Sequence, residues 1–289
     1  LINILKKMAY KNGIDFVIIS YCKQDYVRLC VESITKFVKD TEHTIYVIVN
    51  YLNKDAELEL HRNMFKNNPN VVIVEGIDQS ETTVIGNEGE FLQTKLWTGA
   101  IDGCKVASGS KYAELANTIG IKQGNREHVC ILDQDTILLD YCFDELMKLS
   151  EEYFFISNRW DPGNIFANCK NPSPELGMAR AIMWFSKRSI FEDNNLYPTC
   201  DYRDAWGNIT YFAQNNDLEF LVMENSYRDR FRADNGLWKE HVLNIDHIYS
   251  EQAWLNDKPI FFHHGRGGYR KSDNLQEWID EAEKYLAKN

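Results

Sequence analysis

Two carboxylates two residues apart, Asp133 and Asp135, stand in "CILDQDTIL", directly behind an apolar run of the buried-strand type. Where a strand gives way to a turn, acids at i and i+2 can face one cation. Such hard oxygen donors suit Mg2+ or Mn2+, which keep positions open for substrate phosphates. The triplet alone is a weak signal, and the competing reading is a solvated turn; its place behind a strand, midway along the chain, favours the metal. A second group, "FFHHGRGGYRK" (261–271), joins two histidines to glycines and three cations. His263 or His264 could complete the metal shell, with His263 slightly preferred, while Arg266, Arg270, Lys271 and the backbone N–H groups could hold a pyrophosphate. The alternative there is a glycine turn with a structural histidine. A third group, "DYRDAWGN" (201–208), sets Asp204 beside Tyr202 and Trp206. A carboxylate at a pocket edge can take a proton from a sugar hydroxyl, and aromatic faces stack on sugar C–H surfaces.

The elements that must position these groups are legible as alternating patterns. Apolar runs "DFVIIS" (15–20), "TIYVIVN" (44–50), "NVVIVEG" (70–76) and "HVCILDQD" (128–135) read as strands. Between them lie an amphipathic stretch around Val27, Cys30, Ile34 and Phe37, a charged helix near 55–66, and an apolar-periodic helix expected to start near Leu96. Continuous short runs separated by helices mark parallel strands covered on both faces, so the fold class is α/β. Ligands of such sheets sit at the carboxyl ends of the strands, which singles out Ser20, Tyr21, Asn50, Asp78, Asp133 and Asp135; Asp25 has the competing role of an N-cap. In the second half, "EEYFFISNRW" and "ARAIMWFSKRSIFED" read as strands, the latter running into a short helix. "KPIFFHH" is a strand before a glycine-rich turn, and a polar helix closes the chain at 274–287.

Composition narrows the class further. With 289 residues, 44% hydrophobic and 26% charged, the chain can bury one large core. A net charge of -11 argues against nucleic acid held by general phosphate neutralisation. Seven cysteines, Cys22, Cys30, Cys104, Cys130, Cys142, Cys169 and Cys200, make no CxxC pair and suit a reducing compartment, so the cytoplasm is expected. No run approaches the roughly 18 apolar residues of a membrane span, so no integral membrane segment is expected; the Leu1 start leaves room for a longer protein. Asn208-Ile209-Thr210 is a formal glycosylation sequon.

In this order, "FVIISYCKQDYV", "CILDQDTIL", "ARAIMWFSKRSIFED" and "YRDAWGNITYFAQ" resemble the motifs of GT-A fold glycosyltransferases, most of all the inverting family 2 that includes bacterial polysaccharide sugar transferases. The resemblance spans about residues 14–270, close in the first two motifs and loose in the last two. It implies one GT-A domain over 1–289, with a nucleotide-sugar-binding half (14–136) and an acceptor half (137–289) that ends in the metal and phosphate loop and closing helix. It further implies that Tyr21 stacks on the base and the backbone of Ile19 and Ser20 contacts it. Asp133 touches the ribose or a metal-bound water, Asp135 binds Mn2+ or Mg2+, and Asp204 is the catalytic base. The family's acid after the second strand is replaced here by Asn50 in "VIVNYLN", which shifts base reading toward Asp78; the acidic stretch 79–94 reads as a lid or acceptor loop.

The function implied is transfer of a sugar from a nucleotide-diphosphate donor, a UDP-sugar favoured over a GDP-sugar, to a hydroxyl of a glycan or other acceptor, with inversion. Two other readings compete. A nucleotidyltransferase would carry a glycine- and lysine-rich loop where this chain has "SYCKQDY", and a GT-A-like binding or scaffold protein would not need Asp133, Asp135 and Asp204. Trp160, Trp184, Trp206 and Trp238 are candidates for the acceptor pocket or for the core.

Overall fold

Strands and helices alternate through the first half much as the apolar runs predict. The computed structural model describes residues 10–21, 23–80, 83–85, 91–93, 96–98, 105–161, 177–199, 206–227, 240–245, 250–265 and 275–289. The first half contains β1 (Lys11–Ser20), α1 (Gln24–Phe37), β2 (His43–Tyr51), α2 (Lys54–Phe65) and β3 (Val71–Asp78). The short strands β4 (Thr83–Ile85), β5 (Phe91–Gln93), β6 (Leu96–Thr98) and β7 (Lys105–Ala107) follow, then α3 (Ser108–Gln123), β8 (Arg126–Asp133) and β9 (Thr136–Leu138). The second half contains α4 (Phe143–Leu149), β10 (Ile156–Asp161), β11 (Met178–Lys187), α5 (Ser189–Asp193), α6 (Gly207–Asn215), β12 (Leu221–Val222), β13 (Glu224–Tyr227), β14 (Glu251–Leu255), β15 (Lys258–His263) and α7 (Leu275–Lys288).

The central sheet has seven strands in the order β12-β10-β11-β8-β1-β2-β3. β1 runs parallel to β2 and β8, and β2 parallel to β3; β11 runs against β8 and β10. It is the expected mostly parallel α/β sheet, and strands from both halves of the chain build it. Continuous apolar runs follow from its two covered faces: in β1, Phe16 and Ile18 join one core and Val17 the other, all without exposed surface. The first core takes the stripe Val27, Cys30, Val31 and Ile34 of α1, spaced as one helix face. The second takes α3, which lies so close to the sheet that a Cβ at Gly120 would stand 2.3 Å from a Val17 methyl.

A second, antiparallel sheet has the order β13-β14-β15-β9. Behind it, Ile137, Leu139 and Phe262 pack with Tyr26 and Leu29 of α1 and Trp278 of α7. Arg28 ties the two helices through Glu283 at 2.6 Å. Among the described residues no helix is long and apolar enough to cross a membrane.

Two expectations are corrected. The helix expected near Leu96 begins at Ser108, because Leu96–Thr98 pairs antiparallel with Lys105–Ala107 instead; apolar residues of mixed spacing fit a short hairpin as well as a helix. Asp25 is not an N-cap: α1 has Lys23 at that position without a side-chain cap, and Asp25 sits inside the first turn, 3.6 Å from Arg28. Trp184 and Trp206 belong to the core, stacked 4.5 Å apart, and Phe155 stacks on Trp184 at 4.0 Å. Trp160 is half-buried against Phe220, and Trp238 lies outside the described residues.

Candidate metal centre at the strand ends

β8 delivers Asp133 at its last residue, the turn Gln134-Asp135 follows, and β9 leaves at once into the second sheet. There β15 pairs with β9 so that its last residue, His263, stands opposite Thr136. The two sheets therefore meet at the carboxyl end of the parallel strands. His263 Nε2 lies 3.2 Å from Asp135 Oδ1 and 3.9 Å from Asp133 Oδ2. One ligand atom from each of the three residues falls within a 4.8 Å span. The Asp135 and His263 side chains are almost fully buried, and that of Asp133 is half exposed.

Burial pulls the His263 imidazole toward neutrality, yet the Asp135 and Glu251 carboxylates outweigh it and raise its pKa to about 10. In the absence of a cation the imidazolium therefore balances the acids, and a divalent ion would take the place of its Nε2 proton. Two carboxylates and one imidazole are a donor set that fits a Mn2+-class ion, with positions left for ligand oxygens. Cys30 approaches the Asp133 carbonyl at 3.9 Å, but burial and the charges of Asp135 and Asp133 push its thiol far above the ordinary range, so it stays protonated.

His264 turns away from this cluster. As the next residue of an extended chain it faces the other side, where Nδ1 meets the Tyr26 hydroxyl at 2.8 Å and the ring packs on Trp278. Gly265 then takes φ 79°, the left-handed conformation that glycine adopts without a steric cost.

The other residues expected at the strand ends have defined partners. The Ser20 hydroxyl meets His61 Nε2 at 2.7 Å, and Ile19 is the partner of Asp133 in the β1–β8 ladder. The Tyr21 backbone is clamped by the Gln134 amide, which accepts from its N–H at 2.8 Å and donates to its C=O at 2.9 Å. The Tyr21 ring is buried. Asn50 Oδ1 accepts from Ile77 N at 2.9 Å across the irregularity between β2 and β3, which gives this side chain a backbone-bridging task. Asp78 is exposed, and its hydrogen bonds from Ser80 hold its carboxyl below the usual range. Asp204, Arg266, Arg270 and Lys271 lie outside the described residues. Asn208 of the sequon is engaged by Thr199 N and Tyr197 O, at 3.1 and 2.7 Å.

Sequence reasoning missed Gln134, treated as a spacer between two acids, and Glu251, whose Oε1 lies 2.8 Å from His263 Nδ1. Nothing in the local sequence distinguishes either; both acquire partners only through strand pairing.

No protein-family model matches the sequence, and no curated protein matches it. Solved structures similar to the chain include TarS 1-349 of S. aureus in complex with UDP, at 14% identity and TM-score 0.45 over 73% of this chain and 57% of that one. The mannosyltransferase PcManGT of Pyrobaculum calidifontis, in complex with GDP-Man and Mn2+, matches at 12% identity and TM-score 0.45 over 74% and 55%. The bifunctional glycosyltransferase WbbM matches at 13% identity and TM-score 0.38 over 65% and 33%. The chain thus spans little more than half the length of the first two.

Proposed function

We propose that the chain is a metal-dependent GT-A glycosyltransferase of hexosyltransferase type, using a UDP-sugar in preference to a GDP-sugar and a hydroxyl of a glycan or other acceptor. The observation that supports this best is the convergence of Asp133, Asp135 and His263 at the carboxyl edge of a parallel sheet, where such folds bind their ligands. Asp135 and His263 would hold the cation, with Asp133 reaching it or the ribose from its half-exposed position. A cation bound there supplies charge that offsets the diphosphate. Tyr21 and the backbone of Ile19 and Ser20 border the base, and exposed Asp78, rather than Asn50, whose Oδ1 accepts from Ile77, faces it. Arg266, Arg270 and Lys271 supply further positive charge to the leaving group.

The Asp204 carboxylate takes the proton of the acceptor hydroxyl. The acceptor oxygen bonds to the anomeric carbon as the bond from that carbon to the diphosphate oxygen breaks, and the anomeric configuration inverts. That role rests on "YRDAWGNITYFAQ". A place in polysaccharide synthesis in the cytoplasm belongs to the same reading.

The test is a thermal-shift matrix of UDP, GDP, CDP and dTDP, each with and without Mn2+, on the wild-type chain and Asp135→Ala. A nucleotide at a hundred times its Kd stabilises by about 2.7 kcal/mol. One nucleotide should do so only with Mn2+ and only when Asp135 is present; stabilisation by none, or equal stabilisation of the variant, would end the proposal. Asp204→Asn should keep nucleotide binding and lose turnover.

A further inference from the structure

Glu251 opens β14 as the cross-strand partner of His263, and it is 1% exposed. Its Oε1 accepts from His263 Nδ1 at 2.8 Å, with Arg159 Nη1 3.8 Å away, and its Oε2 accepts from Asn225 Nδ2 at 2.6 Å. Side chains from β10, β13 and β15 thus meet on one buried carboxylate. Burying a charge is costly unless it is hydrogen-bonded and compensated, so a site built this way calls for a reason beyond filling space.

The reason lies in the ring of His263. An ionised carboxylate can only accept, so the proton in the contact belongs to Nδ1, and the lone pair of the neutral imidazole is left on Nε2. That nitrogen faces Asp135 and Asp133, at 3.2 and 3.9 Å. Glu251, on the opposite side of the ring, is not itself a donor to the cation. A second hydrogen bond of this kind fixes which nitrogen ligates and how the ring is turned.

We infer that Glu251 is a positioning residue of the metal centre, which holds His263 as the Nδ1–H tautomer with Nε2 aimed between the two aspartates, and that Asn225 anchors Glu251 for this task. The inference rests on reading Asp133, Asp135 and His263 as the cation's ligands.

The experiment titrates the full chain with Mn2+ alone and follows free Mn2+ by electron paramagnetic resonance, for wild type, His263→Ala, Glu251→Gln and the double variant. Glu251→Gln keeps the shape of the side chain and should weaken Mn2+ about 10- to 100-fold. The double variant should bind no more weakly than His263→Ala, because Glu251 acts through His263; independent losses would multiply. The nitrogen modulation of bound Mn2+ should be present in wild type, absent in His263→Ala and altered in Glu251→Gln. Wild-type affinity in Glu251→Gln, or multiplied losses in the double variant, overturns the positioning role while leaving the metal centre intact. Failure of the wild-type chain to bind Mn2+ removes the metal reading itself. If Glu251→Gln does not fold, Asn225→Ala, which frees only Oε2, is read in its place: a smaller loss supports the role and unchanged affinity overturns it.

Discussion

Replacing Gln134 by alanine should cost more than its place between two acids suggests. The Gln134 side chain is buried and makes two reciprocal hydrogen bonds to the Tyr21 backbone, at 2.8 and 2.9 Å, which fasten the end of β1 to the turn that carries Asp135. Alanine removes the acceptor of the Tyr21 N–H, a loss of about 1–3 kcal/mol for a buried donor. The Tyr21 carbonyl keeps its bond from Lys23 N at 2.8 Å, so its share is only about 0.5–1.5 kcal/mol. Together these give roughly 2–4 kcal/mol, a fall in Tm on the order of 10 °C. Urea unfolding of the metal-free chain measures the first quantity and calorimetry the second. Gln134→Glu keeps the acceptor but turns the donor into a second oxygen against the Tyr21 carbonyl, and adds a negative charge between Asp133 and Asp135, so it should not rescue the alanine variant. A Gln134→Ala midpoint equal to wild type, with an unchanged m value, would refute the clamp.

Two further outcomes follow from groups outside the candidate metal centre. In the middle of β1, Asp15 forms an ion pair with Arg188 at 2.7 Å with neither side chain exposed, and Arg188 also donates to the carbonyls of Arg126 and Ile121. Arg188→Met should cost about 3–5 kcal/mol by removing the nearer of the two cations that face the buried Asp15 carboxylate and leaving it to Arg126, whose Nε is 3.8 Å away, with Mn2+ affinity unchanged; urea titration and Mn2+ titration read the two effects separately. Burial holds the imidazoles of His61 and His128 below their ordinary value of 6.5. The unfolded chain then binds more protons than the folded one in that window, so stability falls as pH drops below 6.5. His263 works in the opposite sense: its contribution in metal-free protein is complete below 6.5 and is lost as pH rises through about 10. Urea midpoints in chelator from pH 5 to 9 should trace both limbs, and His128→Gln should flatten the acid one; a wild-type acid limb already flat would contradict the buried neutral imidazoles.

How much of this was legible in the sequence differs by residue. Strands β1, β2 and β8 could be read directly, because burial on both faces demands unbroken apolar runs such as Phe16–Ile18; β3, at the sheet edge with Val72 exposed, was legible from its β-branched run alone. The strand expected from Glu151 starts only at Ile156, because the N–H groups of Glu151, Glu152 and Tyr153 turn back to the carbonyls of Lys148 and Leu149 at the end of α4, and Phe154 N is the first to reach across, to Glu219 O. That partner is 65 residues further along the chain and leaves no local trace. The aspartates of the candidate metal centre were legible as a spacing at a strand end. Which of two adjacent histidines joins them was not, because the answer depends on the register of β15 against β9. Glu251 and Gln134 were invisible for the same reason: one is an acid in "YSEQAWL", the other a spacer, until pairing gives them neighbours.

The histidine doublet carries one more consequence. Successive side chains of a strand face opposite ways, so sliding β15 by a single residue would exchange the two imidazoles. His264 would be presented to the carboxylates and His263 to the aromatic wall of Tyr26 and Trp278. A chain with two interchangeable rings side by side thus contains a near-copy of its own site, one step out of phase. The contacts of His264 with Tyr26 and Trp278 act as a phase lock against that copy. The turn at Asn256 and Asp257, where both residues take positive φ, sets the phase together with the register shift between Ala253 and Trp254, so the length of that turn matters to the candidate metal centre.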